Sequence, residues 1–339
     1  MNLTPLFDVA AFESYRGQRC LVTGGLGFVG SNMARALVGL GARVTIVDNE
    51  SPGQGANAYN LRGIESSVEL IRSDINDAAA MAEAVRDQAY VFNMAGKSSH
   101  TDSLESPLVD METNVRGQLV LLDAIRRHAP AARVVFASTR SVYGLVQHQP
   151  VDEHHPFVPT EVNSADKAAA DLYHTAFWHA YGLSTVSLRL TNIYGPRMLL
   201  AHSRQGFINW FVRLALEGGT IRLYGDGEQR RDFVYIDDAV QAFLIAGLRR
   251  EEQGVAFNIG SGTSVSLRQI AETLIDITGR GSITYVPFPE AEKRIEIGDY
   301  VADTHRTEKR LNWRATTSLR PGLEATCAYY ETCFGEYAG

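Results

Sequence analysis

The sequence predicts an α/β protein: a doubly wound parallel sheet followed by a smaller, mixed α/β C-terminal part. Three observations predict it. Short apolar runs that read as buried strands recur through the first half of the chain, with helical stretches between them. The first run, Cys20 to Val22, passes through glycines at 24, 27 and 30 into a helical period from Ser31 to Leu40. Polar or small residues follow the strands, at the carboxyl ends where open α/β sheets bind ligands. At 339 residues the chain has room for one large body and a smaller one.

Residues 1–18 precede the first strand and read as a short surface helix without an assignable role. The stretch Leu21 to Gly30 is Leu-Val-Thr-Gly-Gly-Leu-Gly-Phe-Val-Gly. Gly24 permits a tight turn, Gly27 a close approach of a pyrophosphate, and Gly30 close packing of helix on strand, with the free N–H groups of the helix start facing the phosphates. A glycine triplet alone is weak. Here Arg43 to Val47 is a second strand ending in Asp48, roughly 20 residues on, where an acid binds the adenosine ribose hydroxyls. An acid there disfavours a 2′-phosphate, so NAD rather than NADP is expected.

Asn49 to Asn60 is rich in Gly, Pro, Asn and Ser and reads as a loop over the cofactor. Val68 to Ile71 is a third strand. After it Asp74, beside Ile75, holds an adenine amino group, caps a helix over Asn76 to Arg86, or does both. Ala89 to Met94 is a fourth strand, and Ala95-Gly96 behind it are small enough to let a nicotinamide pass. Lys97 to Ser103 is a polar loop, either a solvated turn or a source of proton-transfer groups. Asn114 begins an amphipathic helix reaching about His128, and Arg133 to Ala137 is a fifth strand leading into Ser138-Thr139-Arg140-Ser141-Val142-Tyr143-Gly144. Gly24 to Gly30, Asp48, Asp74, Ala95-Gly96 and Ser138-Thr139 are expected to converge on one crevice.

Further on, Met198 to Gly206 reads as an irregular loop closing over the nucleotide, with Ser203 and Gln205 as polar contacts. Helices are expected over 207–216, 237–248, 266–279 with Ser266 as N-cap, 303–311 and 319–334, and strands over 221–224 and 255–259. Lys plus Arg number 32 against 39 Asp plus Glu, a net charge of −7 with no basic block, which argues against nucleic acid or an anionic membrane as partner. Three cysteines without metal-ligand spacing point to a reducing compartment, and no stretch reads as a signal peptide or membrane span, so a cytoplasmic protein is expected. His154-His155 reads as a loop pair, and no metal site is expected.

Taken together, Thr23 to Gly30, Asp48-Asn49, Asp74-Ile75, Asn114, Ser138-Thr139 with Val142-Tyr143-Gly144, Arg189 to Arg197, Tyr224 to Asp238, Asn258 to Gly262 and Leu311-Asn312-Trp313 resemble the extended short-chain dehydrogenase/reductase superfamily. Within it the resemblance is to the nucleotide-sugar epimerases and dehydratases of the UDP-glucose 4-epimerase type, over about Gln18 to Tyr330. It implies a Rossmann-type domain at 1–190, also taking in about 236–262, and a nucleotide-sugar domain at 191–235 and 263–339. Tightly held NAD would then meet Gly24, Gly27, Phe28, Val29, Asp48 and Asn49, and further along Asp74, Ile75, Ala95, Gly96, Asn114 and Lys167. A nucleoside-diphosphate sugar would meet Asn192, Gln205 and Arg231, with Arg294 as a further contact. Arg231 suits a diphosphate because a guanidinium fork matches two phosphate oxygens, although a surface ion pair with Asp232 or Asp237 is its plain alternative.

One position departs from the family pattern. Relatives carry Tyr-x-x-x-Lys, the lysine holding the nicotinamide ribose and the tyrosine taking a hydroxyl proton as hydride leaves the sugar. Lys167 is present, but four residues earlier stands Asn163, whose amide neither gains nor loses a proton near neutral pH. Thr139 can orient or relay a proton but is a poor base unaided. His100 is the first candidate to replace the phenol, since imidazole titrates near operating pH; Lys97, Glu161 and Tyr143 follow, and the plain alternative for His100 is a bond to its own loop. The expected activity is an NAD-dependent epimerase working by transient oxidation and reduction of a sugar carbon. The alternatives are a dehydratase, for which the Thr139 region lacks an acidic pair, and a catalytically impaired NAD or nucleotide-sugar binding protein. The family resemblance implies a homodimer, and Ala168, Leu172, Ala176 and Ala180 form an apolar stripe that permits it but would equally suit the core.

Overall fold

Successive residues of a strand face opposite sides of a sheet, and in this chain both sides are apolar, which is the pattern of a parallel sheet covered twice. The computed structural model describes residues 9–339 apart from 291, 292, 294 and 295, so the expectation for Arg294 and the first eight residues lie outside the described residues. The strands β1 (Arg19–Thr23), β2 (Arg43–Asp48), β3 (Val68–Arg72), β4 (Tyr90–Asn93), β5 (Arg133–Thr139) and β6 (Thr185–Leu190) follow one another along the chain. Then come the short strands β7 (Asn192–Tyr194), β8 (Thr220–Tyr224), β9 (Arg230–Arg231) and β10 (Phe233–Tyr235), before β11 (Val255–Ile259) returns to the main sheet. That sheet has the order β11-β6-β5-β4-β1-β2-β3, parallel throughout. The order reverses at β1, which lies between β2 and β4. A crevice therefore opens at the carboxyl ends of β1 and β4.

Helices α1 (Phe28–Gly39), α2 (Ala78–Ala84), α3 (His100–Glu105), α4 (Pro107–Met111), α5 (Gly117–His128), α6 (Val162–Tyr181), α7 (Phe207–Glu217) and α8 (Ile236–Leu248) fill the connections. Cys20, Val22, Ile46 and Phe92 face α1 and α8 through Met33, Leu37, Val240 and Phe243. Leu21, Val47, Val91 and Val134 face Met81, Leu121, Leu122 and Ile125 of α2 and α5 on the other side. Leu121, Leu122 and Ile125 are fully buried, each contributing roughly 1.5–3 kcal/mol of hydrophobic stabilisation. The rest of the chain adds α9 (Leu267–Thr278), opened by a Ser266–Gln269 capping box, then α10 (His305–Leu311) and α11 (Leu319–Cys333).

Several expectations change. The segment before β1 is not a surface helix: Val9–Tyr15 is a 3₁₀ turn whose Tyr15 is fully buried and donates its hydroxyl to the Leu244 carbonyl at 2.8 Å. Helix α2 is capped by Asp77, not Asp74, with one carboxylate oxygen accepting from Ala79 N and Ala80 N. The polar stretch after β4 is helical from His100, because Ser99 accepts the Asp102 N–H at 3.1 Å and caps it. Asn114 does not begin a helix. It sits inside a π-type turn, Glu112–Arg116, that joins α4 to α5, the kind of helical irregularity that recurs at functional sites. Of the proposed dimer stripe, Ala168 is buried, while Leu172, Ala176 and Ala180 are exposed. Among the described residues no helix is long and apolar enough to cross a membrane.

Candidate active site

The crevice beyond β1 and β4 is a cavity of about 390 Å³. Gly24, Gly27, Phe28, Val29, Asp48 and Asn49 line one end of it. Ile75, Ala95, Gly96 and Lys167 continue the wall towards Thr139, Asn163 and His100, and Asn192 and Gln205 close the far side. Three expected contacts stand behind the wall. Asp74 accepts from Asn49 Nδ2 at 2.6 Å and from Asn76 N at 2.8 Å, so its neighbours Ser73 and Ile75 face the cavity instead. Asn114 is fully buried, bonded to the Lys97 backbone. Arg231 is buried and makes no ion pair with Asp232 or Asp237: it donates to the carbonyls of Arg230 and Gly298 and to Glu296 at 2.5 Å. Ser203 is exposed and outside the lining, while Gln205 bonds the Gly53 carbonyl at 3.4 Å, tying the 198–206 loop to the loop after β2.

The dinucleotide end fits its expected occupant. A Cβ on Gly30 would overlap the Gly24 carbonyl oxygen, so only glycine lets α1 start this close to the turn. Gly27, at the N-cap, offers no side-chain cap, which leaves the first N–H groups of α1 available to phosphate. Asp48 is buried and holds the loop by accepting from Leu26 N at 3.0 Å and Glu50 N at 2.9 Å. Burial, more than those two bonds offset, raises its carboxyl above the ordinary value. A Cβ on Gly96 would collide with Lys167 Nζ and stand 2.9 Å from Asn114 Oδ1, so glycine there makes room for the lysine. Burial pushes Lys167 down to about 8, with the Asp110 carboxylate opposing the shift.

At the reaction end Asn163 is framework. Its Nδ2 donates to the Lys97 carbonyl at 2.9 Å and to Asp110 at 3.1 and 3.3 Å, and Asn114 Nδ2 joins the same two acceptors at 3.2 and 2.8 Å. This buried knot clamps the turn that carries Lys97. Sequence reasoning missed Asp110, although its place four residues before Asn114 puts both on one helix face. Asp166, next to this knot, is pushed up to about 7 by burial and by the neighbouring Asp110.

His100 lines the cavity, and its Nδ1 lies 2.9 Å from Glu161 Oε1. Glu161 caps α6, accepting from Asn163 N, Ser164 N and the Ser103 hydroxyl. Burial raises its carboxyl, but the His100 and Ser164 bonds outweigh that and hold it at about 2, so it is a carboxylate at neutral pH. An ionised Glu161 accepts the Nδ1 proton, and a neutral His100 then keeps Nε2 as an acceptor. Thr139 Oγ1 accepts the Ser141 N–H at 3.2 Å, leaving its own proton free to donate. Tyr143 drops out as a candidate base: fully buried, it donates to Asn258 Oδ1 at 2.6 Å, and burial raises its pKa well above the ordinary phenol value.

Known proteins resemble the chain along nearly its whole length. The family model described as the NAD dependent epimerase/dehydratase family matches residues 20–260. The dTDP-glucose 4,6-dehydratase of Streptomyces griseus is 33% identical over 316 residues, covering 91% of this chain and 93% of that protein. The solved structure of an epimerase from Methanothermobacter thermautotrophicus superposes with a TM-score of 0.90 at 27% identity, covering 96% of each chain. That of the Thermotoga maritima UDP-glucose 4-epimerase with UDP-glucose does so with a TM-score of 0.85 at 30% identity, covering 94% of this chain and 100% of that one. With the parallel sheet and glycine turn in place, the chain belongs to the NAD-dependent epimerase/dehydratase family of nucleotide-sugar enzymes.

Proposed function

We propose that the protein is an NAD-dependent epimerase of a nucleoside-diphosphate sugar, in which His100, oriented by Glu161, replaces the family's tyrosine as acid/base. One observation carries the assignment. Among the described lining residues the titratable side chains are Asp48, Lys97, His100 and Lys167, and His100 alone has a nitrogen free to accept while an ionised carboxylate orients the other. NAD, when bound, supplies the hydride acceptor and donor. Lys167 binds the nicotinamide ribose, and the Thr139 hydroxyl orients the sugar hydroxyl towards His100. His100 Nε2 takes that hydroxyl's proton and returns it on reduction, while Glu161 stabilises the imidazolium formed between the two steps. Dehydration would call for a carboxylic acid beside Thr139, where Arg140 and Ser141 stand; among the described lining residues the one carboxylate is Asp48, at the adenosine end.

Residues 1–190 with 236–262 would hold the cofactor, and 191–235 with 263–339 the sugar nucleotide. A homodimer fits Leu104, Leu108, Val109 and Leu172, exposed apolar residues on α3, α4 and α6. Leu172→Glu should then sediment as a monomer; wild-type protein that already does so would dismiss the dimer. A cytoplasmic site fits the three free, buried cysteines and would be contradicted by recovery from a secreted fraction.

The test is to add UDP-, dTDP-, CDP- and GDP-hexoses to NAD-loaded protein, following NADH absorbance and the product epimer by NMR. A transient rise with one of them, and His100→Ala lowering turnover about 100-fold or more, supports the reading. No epimer from any sugar, or an unchanged pH–rate profile in His100→Ala, overturns it.

A further inference from the structure

Among the described residues, Arg140, its chain neighbour Ser141 and Tyr300 each keep a donor out of solvent and unpaired: Nη1, Oγ and the phenol hydroxyl, respectively. The Arg140 guanidinium lies over the Tyr300 ring, 5.1 Å from its centroid. Leaving buried donors unmet is costly, and native proteins seldom tolerate several at one place without a ligand.

Of the three, Ser141 lines the cavity itself. Thr139 and Ser141, on either side of Arg140, both line it, as do Thr191 and Asn192, which bond the Asp232 carbonyl next to Arg231. Among the described residues Arg231 acts against the Arg140 charge, and Glu296 and Asp232 favour it. Glu296 is engaged by Arg231 at 2.5 Å. Asp232 is saturated by the N–H groups of Ser261, Gly262 and Ala302 and by the Ser261 hydroxyl. Among the described residues Arg140 is thus left without an ion pair, and Arg231 repels its charge. A neutral sugar hydroxyl would satisfy a donor there but not that charge; an anionic oxygen satisfies both.

We propose that Arg140 is a substrate-binding residue whose guanidinium pairs with an anionic oxygen of the bound nucleotide sugar, seconded by the hydroxyls of Ser141 and Tyr300. The oxygen belongs either to the diphosphate or to a carboxylate on the sugar ring, that is, to a nucleoside-diphosphate hexuronate. The inference rests on the reading of the crevice as a nucleotide-sugar site.

Calorimetric titration of NAD-loaded protein with UDP, dTDP, CDP and GDP identifies the base. Wild type, Arg140→Met and Arg140→Lys are then titrated with that diphosphate, its hexose and its hexuronate. Arg140→Met should weaken the ligand bearing the anion about 10- to 100-fold, Arg140→Lys less. Its ligand-free melting temperature should not fall, since the change removes an unpaired buried cation. A loss confined to the hexuronate identifies a sugar carboxylate, and an equal loss for all three ligands identifies the diphosphate; either supports the pairing. Affinities within about threefold of wild type for all three overturn it while leaving the nucleotide-sugar site standing. Wild type that binds no nucleotide overturns the site reading itself, and the inference with it. Tyr300→Phe, which removes one hydroxyl, should weaken the same ligand severalfold and decides the matter should Arg140→Met not fold.

Discussion

Asn163→Ala separates framework from catalysis at the position where relatives keep their tyrosine. The change deletes one hydrogen bond to a carboxylate and one to a backbone carbonyl, from Nδ2 to Asp110 at 3.1 Å and to Lys97 at 2.9 Å. A bond to a charged acceptor contributes about 1.5–3 kcal/mol and a neutral one about 0.5–1.5 kcal/mol. Asn114 remains on both acceptors, so neither is stripped of donors and the loss falls near the lower end, about 2–3 kcal/mol. At about 2.1 cal/mol/K per residue the unfolding entropy is roughly 0.7 kcal/mol/K for a chain of this length, and the melting temperature should drop by about 3–4 °C. Differential scanning calorimetry reads that drop, and initial rates under saturating NAD read the rest. Because the side chain does not exchange the substrate proton, kcat should stay within about tenfold of wild type. A fall of 100-fold or more at unchanged melting temperature would refute the framework role and return Asn163 to the chemistry.

Glu161→Gln should lower kcat about 10- to 100-fold by leaving Nδ1 of His100 without a carboxylate, measured as a pH–rate profile. Its carboxyl is held at about 2, so the stability it provides is present above the ordinary glutamate range and lost as pH falls from about 4.5 towards 2. The gap in melting temperature between wild type and Glu161→Gln should close over that range, and a constant gap would contradict it. Lys167→Met should weaken NAD about 10- to 100-fold. In wild type, NAD affinity should fall as pH rises through about 8, where the ammonium is lost; a flat profile between roughly pH 6.5 and 9.5 would remove the lysine from the cofactor site. Asp166 binds its proton more tightly folded than unfolded, so its stabilisation is full below the ordinary aspartate range and lost as pH rises through about 7. Asp166→Asn should therefore melt progressively higher than wild type between about pH 4 and pH 8, and an unchanged difference would sink the assignment.

The dinucleotide end was legible in the sequence because its physics is local: a turn that only glycine can make, an acid closing the next strand, and apolar runs whose neighbours must be helices. The opening of the crevice at the carboxyl ends of the strands follows from the same rules. The reaction end was not legible. Asn163, Asp110 and Asn114 meet through hydrogen bonds across three helical segments, and His100 finds Glu161 across 61 residues, pairings that no spacing encodes. Even the direction of a side chain was decided by the fold, since Asn114 and Arg231 turn to backbone carbonyls and buried partners, away from the cavity the family pattern assigns them. Sequence determines which backbone a segment can adopt; which buried donor meets which acceptor is set only when distant segments pack and water is excluded between them.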